Sequence, residues 1–198
     1  MEIRDVLAAL EEEAAAGGVP IIRAEEREAF LRAAAESRPR RILEIGTAIG
    51  YSALLLAERF PEAAVDTVEL DEKRRARALR AVEEAGAAGR VRCLAGDAAE
   101  VIPRLTGPYD FLYLDGPKGQ YLAHLRLAEP LLSDRAVIAA DNVLFRGLVR
   151  AEGPVPHRYR TIVTRLRDYI AYAETHYDTE IDTAGDGLAV SRRRKDTL

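Results

Sequence analysis

The chain has 198 residues, of which 48% are hydrophobic and one is cysteine, with a formal net charge of −4. That length and apolar content suit one domain with a sizeable core, and a single thiol excludes an intrachain disulfide framework or a multi-cysteine zinc site. The acidic balance argues against the whole surface acting as a nucleic-acid clamp. No apolar run approaches the roughly 20 residues needed to span a bilayer, and Met1 to Asp5 lack the basic start of a secretory signal, so a soluble, cytoplasmic protein with no membrane partner is expected.

Ile3, Val6, Leu7 and Leu10 recur at helical spacing, and Glu25 to Ala35 predicts a second helix that buries Phe30 and Leu31. A strand at about 41–45 follows, then a helix from about residue 50 to Phe60, closed by Pro61, and a strand at about 65–69. Asp71 is placed to cap a helix over about 72–85 that ends at Gly86. Next come a strand at about 90–94, a short helix near 98–104, the strand Tyr109 to Leu114, a helix from about Gly119 to Leu132 and the strand Ala136 to Ala140. Strands separated by helices predict a parallel sheet covered on both faces. A loop rich in Gly and Pro, Asn142 to Pro156, then leads to an amphipathic helix carrying Ile162, Val163, Leu166, Tyr169 and Ile170. Residues 179–183 and 188–192 predict a closing hairpin through Ala184-Gly185-Asp186-Gly187. A single domain is expected, with N-terminal helices over 1–39, a cofactor-binding core over 40–141, and loop, helix and hairpin over 142–198.

The stretch Arg41-Ile42-Leu43-Glu44-Ile45-Gly46-Thr47-Ala48-Ile49-Gly50-Tyr51-Ser52 runs an apolar strand into a glycine-punctuated turn, and the next strand ends on Glu69, 23 residues after Gly46. Glycines let a ligand approach the backbone, and an acid at that spacing can grip ribose hydroxyls. Thr47 and Ala48 stand where a dinucleotide site would carry its second close glycine. The pyrophosphate clamp is thereby weakened, which disfavours a nicotinamide oxidoreductase and favours an adenosine cofactor without phosphates, S-adenosylmethionine. The plainer alternative is a strand, turn and helix whose glycines merely permit close packing.

Two consecutive strands end in acids, Asp115 and Asp141, and Asn142 follows the second. Ligands of an open parallel sheet bind beyond the carboxyl ends of its strands, so these three should meet at one rim beside the glycine turn. Two carboxylates and an amide oxygen suit Mg²⁺, Mn²⁺ or Ca²⁺ and leave positions open for catalysis. Either acid alone reads as a solvated strand end; their pairing reverses that preference. Asp97, ending the third strand, either accepts from an adenine amino group or caps the next helix. Of 29 basic residues only Lys73, Lys118 and Lys195 are lysine. Lys118, three residues after Asp115, is the candidate base, because an ammonium can lose its proton near neutral pH and a guanidinium cannot. The densest basic run holds Arg146, Arg150, Arg158, Arg160, Arg165 and Arg167 against Glu152 alone. Such a face can hold phosphates even on an acidic protein, or it can be ordinary solvated surface. Cys93, within Val91-Arg92-Cys93-Leu94, reads as core.

Taken together, Glu44 to Ser52, Asp115-Gly116-Pro117-Lys118-Gly119-Gln120-Tyr121 and Asp141-Asn142-Val143 resemble the metal-dependent class I O-methyltransferases, the family that includes catechol and caffeoyl-CoA O-methyltransferases. The resemblance covers nearly the whole chain from Val19 to the final hairpin. It implies a Rossmann-like, three-layer α/β sandwich with a mostly parallel seven-stranded sheet ending in an antiparallel hairpin, and a homodimer. It also implies roles: Gly46 and Ser52 at the methionine part of S-adenosylmethionine, Glu69 at the ribose, Asp97 at the adenine edge and Asp115 at the cofactor's border. Asp115, Asp141 and Asn142 would hold the metal, Mg²⁺ first, and Lys118 would be the base. Asp141 to Gly147 and Gly185 to Ser191 are similar to the bacterial branch that methylates 5-hydroxyuridine at the tRNA wobble position. That similarity makes a tRNA anticodon the leading expected acceptor, with Arg146, Arg150, Arg158 and Arg160 at its backbone, and a small catechol-like phenol the alternative. Gly116-Pro117 departs from the Ala-Asp or His-Trp that many members carry before the lysine, which reduces the bulk beside the acceptor.

Overall fold

A computed structural model describes residues 1–17 and 19–194; Lys195 lies outside the described residues. Helices α1 (Ile3–Ala15) and α2 (Ala24–Glu36) precede the alternating core of β1 (Arg41–Ile45), α3 (Tyr51–Arg59), β2 (Ala64–Glu69), α4 (Glu72–Glu84) and β3 (Val91–Ala95). The core continues through α5 (Ala98–Val101), β4 (Tyr109–Leu114), α6 (Tyr121–Ala128) and β5 (Leu132–Ala140), and α7 (Arg160–His176), β6 (Tyr177–Asp182) and β7 (Leu188–Arg193) complete the chain. The strands form one sheet in the order β3-β2-β1-β4-β5-β7-β6. β1 to β5 are parallel, whereas β7 runs antiparallel to both β5 and β6. This is the seven-stranded α/β sandwich that the resemblance implies.

The two-residue period of the strands sorts the core into two layers. Ile42, Phe111, Tyr113, Val137 and Ala139 pack with Val6, Phe30, Leu54 and Ala78 from α1 to α4. Leu43, Ile45, Leu112, Leu114 and Ile138 pack on the other face with Ile102, Leu125 and Leu166 from the segments after β3. Both faces being covered explains why these strands read as apolar runs rather than as alternating ones. Among the described residues no helix is long and apolar enough to cross a membrane.

The chain moves outward from β1 to β2 and β3, then returns to place β4 on the other side of β1. The crevice where this direction reverses, beyond the carboxyl ends of β1 and β4, is where an open sheet of this kind binds its ligands. Acids at the opposite end of the strands have structural partners. Asp66, 4% exposed, accepts from Arg92 Nε at 2.6 Å, Arg92 Nη2 at 2.8 Å and the Tyr109 hydroxyl at 2.5 Å, tying β2 to β3 and β4.

Two boundaries and one burial differ from the sequence reading. The helix expected over Gly119 to Leu132 is a 3₁₀ turn (Lys118–Gln120), α6, and a second 3₁₀ turn (Glu129–Leu131); Pro130 lacks the N–H that would continue the α-helical ladder. β5 begins at Leu132, four residues early, because the polar Ser133-Asp134-Arg135 extends the strand at its exposed end. Leu31 is only half-buried while Phe30 is in the core.

Candidate active site

A cleft of about 760 Å³ lies at the β1/β4 reversal and extends along the strand ends to β3. Ile45-Gly46, Ala48, Glu69, Gly96-Asp97 and Asp115-Gly116 all contribute to its lining. Gly46 has φ +103° and a Cβ there would stand 2.6 Å from the Asp115 carbonyl oxygen, so the two strand ends touch only because that side chain is absent. Ala48, at φ +49°, directs its N–H to Glu69 Oε2 at 2.8 Å. Glu69 Oε1 accepts from Asp71 N at 2.8 Å. The expected ribose carboxylate is thus held by the backbone of two turns, with lone pairs remaining for ligand hydroxyls. Asp97 caps α5, its carboxylate accepting from Ala99 N at 2.8 Å, and it also lines the cleft.

Ser52 is placed differently from the expectation. It does not line the cleft, and its hydroxyl donates to Glu44, which also accepts from Thr67 Oγ1 at 2.5 Å. Glu44 is fully buried without a cation, so it recruits both nearby hydroxyls. Burial is the largest influence on its carboxyl, pushing its pKa up to about 7; the Ser52 and Thr67 bonds pull it down, and the charges of Asp115 and Glu69 push it further up. The unfolded chain therefore releases this proton near pH 4.5 and the folded protein near 7, so stability falls as pH rises through that window and levels off above it. The loss is about 3 kcal/mol. Glu44→Gln, whose amide can accept from Ser52 and donate to Thr67, is expected to abolish this slope in the ligand-free protein and to raise Tm at pH 8 by roughly 5–10 °C. Equal pH slopes for the two proteins in thermal melts between pH 5 and 8 would refute it.

The ends of β4 and β5 bring together Asp115, Lys118, Asp141 and Asn142. Lys118 Nζ donates to Asp115 Oδ1 and to the Tyr121 hydroxyl, both at 2.8 Å, and that hydroxyl donates to the Asp141 carbonyl at 3.0 Å. Asp141 Oδ1 accepts its neighbour's N–H, from Asn142, at 2.8 Å, and Oδ2 accepts from the Tyr113 hydroxyl at 3.3 Å. Asn142 sits in the left-handed region at φ +53°. Burial, and then the charge of Asp115, push the Asp141 carboxyl up to about 6, against the pull of Lys118. Two carboxylates that oppose each other's ionisation, with an amide oxygen adjacent, form a donor set that a hard divalent cation would relieve, so the residues fit one. Among the described residues no group of three or more His, Cys, Asp or Glu could hold a metal.

Lys118 and Asn142 also line a second, open hollow of about 420 Å³ with Arg23, Phe145, Arg146 and Asp186. The two hollows thus share the Asp115–Lys118 ion pair, one carboxylate facing the first and the ammonium facing the second. The hairpin turn builds the second wall: Val143 N and Leu144 N donate to the carbonyls of Gly187 and Asp186 at 3.0 and 2.9 Å.

The arginine run is divided. Arg146 donates to the Tyr159 hydroxyl at 3.1 Å, and Arg158 stacks over the same ring at 4.6 Å, so both surround one aromatic near the second hollow. Arg160 donates to the Val155 carbonyl at 3.3 Å, and Arg167 clamps the carbonyls of Leu148, Val149 and Ala151. These two brace the 142–156 loop, and Arg150 is exposed. Sequence reasoning missed Arg23, which α2 brings to the second hollow, and Leu70, 68% exposed at the cleft's rim. Contacts between distant segments carry no local signal. Cys93 is buried as expected.

The sequence profile of the O-methyltransferase family matches residues 4–194. The catechol O-methyltransferase of Niastella koreensis is 32% identical over 155 residues, 75% of this chain and 70% of that one. A catechol O-methyltransferase of Mycobacterium tuberculosis is 37% identical over 115 residues, which are 57% of this chain and 52%, about half, of that relative's length. The crystal structure of the Bacillus cereus O-methyltransferase in complex with S-adenosylhomocysteine superposes with a TM-score of 0.82 at 25% identity, covering 96% of this chain and 91% of that one. With the fold and the glycine turn in place, these matches establish that the chain belongs to the O-methyltransferase family and is an S-adenosylmethionine-dependent O-methyltransferase.

Proposed function

We propose that the protein methylates a hydroxyl oxygen standing beside a second oxygen on a small aromatic acceptor, with a divalent cation held by Asp115, Asp141 and Asn142 and with Lys118 as the base. The observation that carries this reading is the meeting of two hollows at the Asp115–Lys118 pair, one cleft suited to a nucleoside and one open hollow suited to an acceptor. S-adenosylmethionine supplies a methyl group already activated on a sulfonium, and a bound divalent cation supplies charge that lowers the pKa of an acceptor hydroxyl. The chain does the positioning. Gly46 and Ala48 in the turn after β1 take the methionine portion, Glu69 the ribose hydroxyls and Asp97 the adenine edge. Tyr121 and Asp115 hold Lys118 Nζ where it takes the acceptor's proton. Fixing both reactants in line can contribute effective molarities of roughly 10⁵ M.

A second reading, 5-hydroxyuridine of a tRNA anticodon, is favoured by Arg146 and Arg158 around Tyr159, since an aromatic flanked by guanidiniums suits a base and its phosphates. The experiment offers isotopically labelled S-adenosylmethionine, Mg²⁺, a simple catechol and 5-hydroxyuridine-bearing tRNA together, and resolves the products by mass spectrometry. Label in the catechol supports the first reading. Label confined to tRNA replaces it with the second, and Arg158→Glu with Arg160→Glu should then weaken tRNA turnover and flatten its salt dependence. Stripping divalent cations is expected to lower turnover at least 100-fold, an order of magnitude set by the loss of charge stabilisation at the acceptor; full activity in chelator would remove the cation from the scheme.

A further inference from the structure

The inward face of α6 carries Tyr121, His124, Leu125 and Ala128, and His124 stands out on it chemically. Its side chain is 1% exposed, and neither ring nitrogen has a hydrogen-bond partner among the described residues. A leucine would fill such a position without penalty, whereas a buried donor and acceptor left unpaired are each unfavourable. Buried polar groups in folded proteins are almost always paired, so an orphan is a sign of a partner that arrives later. His124 also lines the 760 Å³ cleft, sharing it with Gln120 on the α6 side and Gly96, Asp97 and Ala98 on the β3 side. That end lies beyond Glu69 as one moves along the sheet from β1 to β2 to β3, away from Lys118 and the reacting groups. A nucleoside whose ribose sits at Glu69 and whose sulfur faces β4 puts its base there.

We infer that His124 is a cofactor-specificity residue, its imidazole hydrogen-bonding the adenine ring of S-adenosylmethionine at the β3 end of the cleft. The inference rests on the cofactor requirement of the family and is independent of which acceptor is methylated. Burial lowers the pKa of His124 against the opposing charge of Asp97, so the ring enters this contact neutral, with one donor and one acceptor nitrogen. An adenine edge likewise alternates acceptor ring nitrogens with a donor amine, so either tautomer finds a match. The contact differs in kind from that of Asp97, which can only accept.

The test uses the full chain and S-adenosylhomocysteine as the probe. In His124→Phe, affinity measured by calorimetry is expected to fall about tenfold, the equivalent of one hydrogen bond, while the ligand-free protein melts no lower than wild type because two orphaned nitrogens have been removed. His124→Gln, which keeps a donor and an acceptor, should recover part of the loss. The chain has three histidines, so the imidazole nitrogen resonances of His124 can be assigned by difference from the variant; they should shift when S-adenosylhomocysteine saturates the wild-type protein. A merely structural histidine would leave them in place. Unchanged affinity in His124→Phe, or His124 nitrogen signals that do not move on saturation, would overturn the assignment; the second readout needs no variant to fold. Binding of the probe by wild type tests the family's cofactor by itself, and the ratio between variant and wild type tests the imidazole.

Discussion

Replacing Lys118 by alanine is expected to lower kcat by about 10²–10⁴-fold, the usual contribution of a positioned general base, while leaving the affinity for S-adenosylhomocysteine within about twofold of wild type, since one tenfold change already requires 1.4 kcal/mol. The separation follows from placement: Nζ bonds Asp115 and Tyr121 and faces the second hollow, whereas the residues expected to hold the nucleoside line the first. Lys118→Arg keeps the positive charge and the partner on Asp115 but cannot yield a neutral base, so it should fail as well. Single-turnover kinetics with saturating labelled cofactor, alongside calorimetry, measures both quantities. Wild-type turnover in Lys118→Ala would exclude the residue as base, and a matching loss of cofactor affinity would make it a binding residue. Recovery of activity in Lys118→Arg would assign the lysine a purely electrostatic role.

Gly46→Ala is expected to be strongly damaging for a single added methyl group. The new Cβ would lie 2.6 Å from the carbonyl oxygen of Asp115, 2.7 Å from its carbonyl carbon and 2.9 Å from Gly116 N, all backbone atoms that no rotamer change can move. At φ +103° the residue is also in a region that L side chains rarely adopt. Backbone strain and overpacking each cost about 1–3 kcal/mol, so a combined loss of about 3 kcal/mol or more is expected. That corresponds to a Tm lower by roughly 10 °C. Because the clash falls between β1 and β4, relief must part the strand ends that frame the cleft, and S-adenosylhomocysteine binding should weaken by roughly 100-fold, as expected for a distortion of about 1 Å in a positioned site. Gly89→Ala is the control: nothing lies within 4 Å of a Cβ there and no left-handed φ is involved. Melts and calorimetry on the two variants decide the matter; a Gly46→Ala protein that binds and melts like Gly89→Ala would show that the strand ends adapt.

Much of this architecture was legible in the chain because its signals are local. A strand buried on both faces must be apolar throughout, and Phe111-Leu112-Tyr113-Leu114 and Val137-Ile138-Ala139-Ala140 are. The acids that end them mark the rim of the sheet for the same reason, since nothing charged sits within those runs. Lys118 was legible through chemistry, as a lysine in a chain that otherwise uses arginine. Boundaries were less legible where polarity misled, as at Ser133 to Arg135, which fall between the expected helix and strand yet extend β5 along the exposed end of the sheet. The arginine segment showed its charge but not its partners, and two of its members turned out to brace a loop through backbone carbonyls.

By itself, then, the amino-acid sequence determined the α/β class, the direction of the first five strands, the glycine turn, and the identity of Glu69, Asp97, Asp115, Lys118, Asp141 and Asn142 as the groups to watch. Each follows from periodicity, from strand-end position or from the chemistry of one side chain, properties that need no knowledge of distant neighbours. Only the tertiary structure decided that Ser52 turns to a buried Glu44, that Arg23, just before α2, lines the same hollow as Arg146 and Lys118, and that His124 lies orphaned against the cleft. Those facts depend on hydrogen-bond partners and burial contributed by segments far apart in the chain, and pairing at such range leaves no periodic trace in the residues themselves.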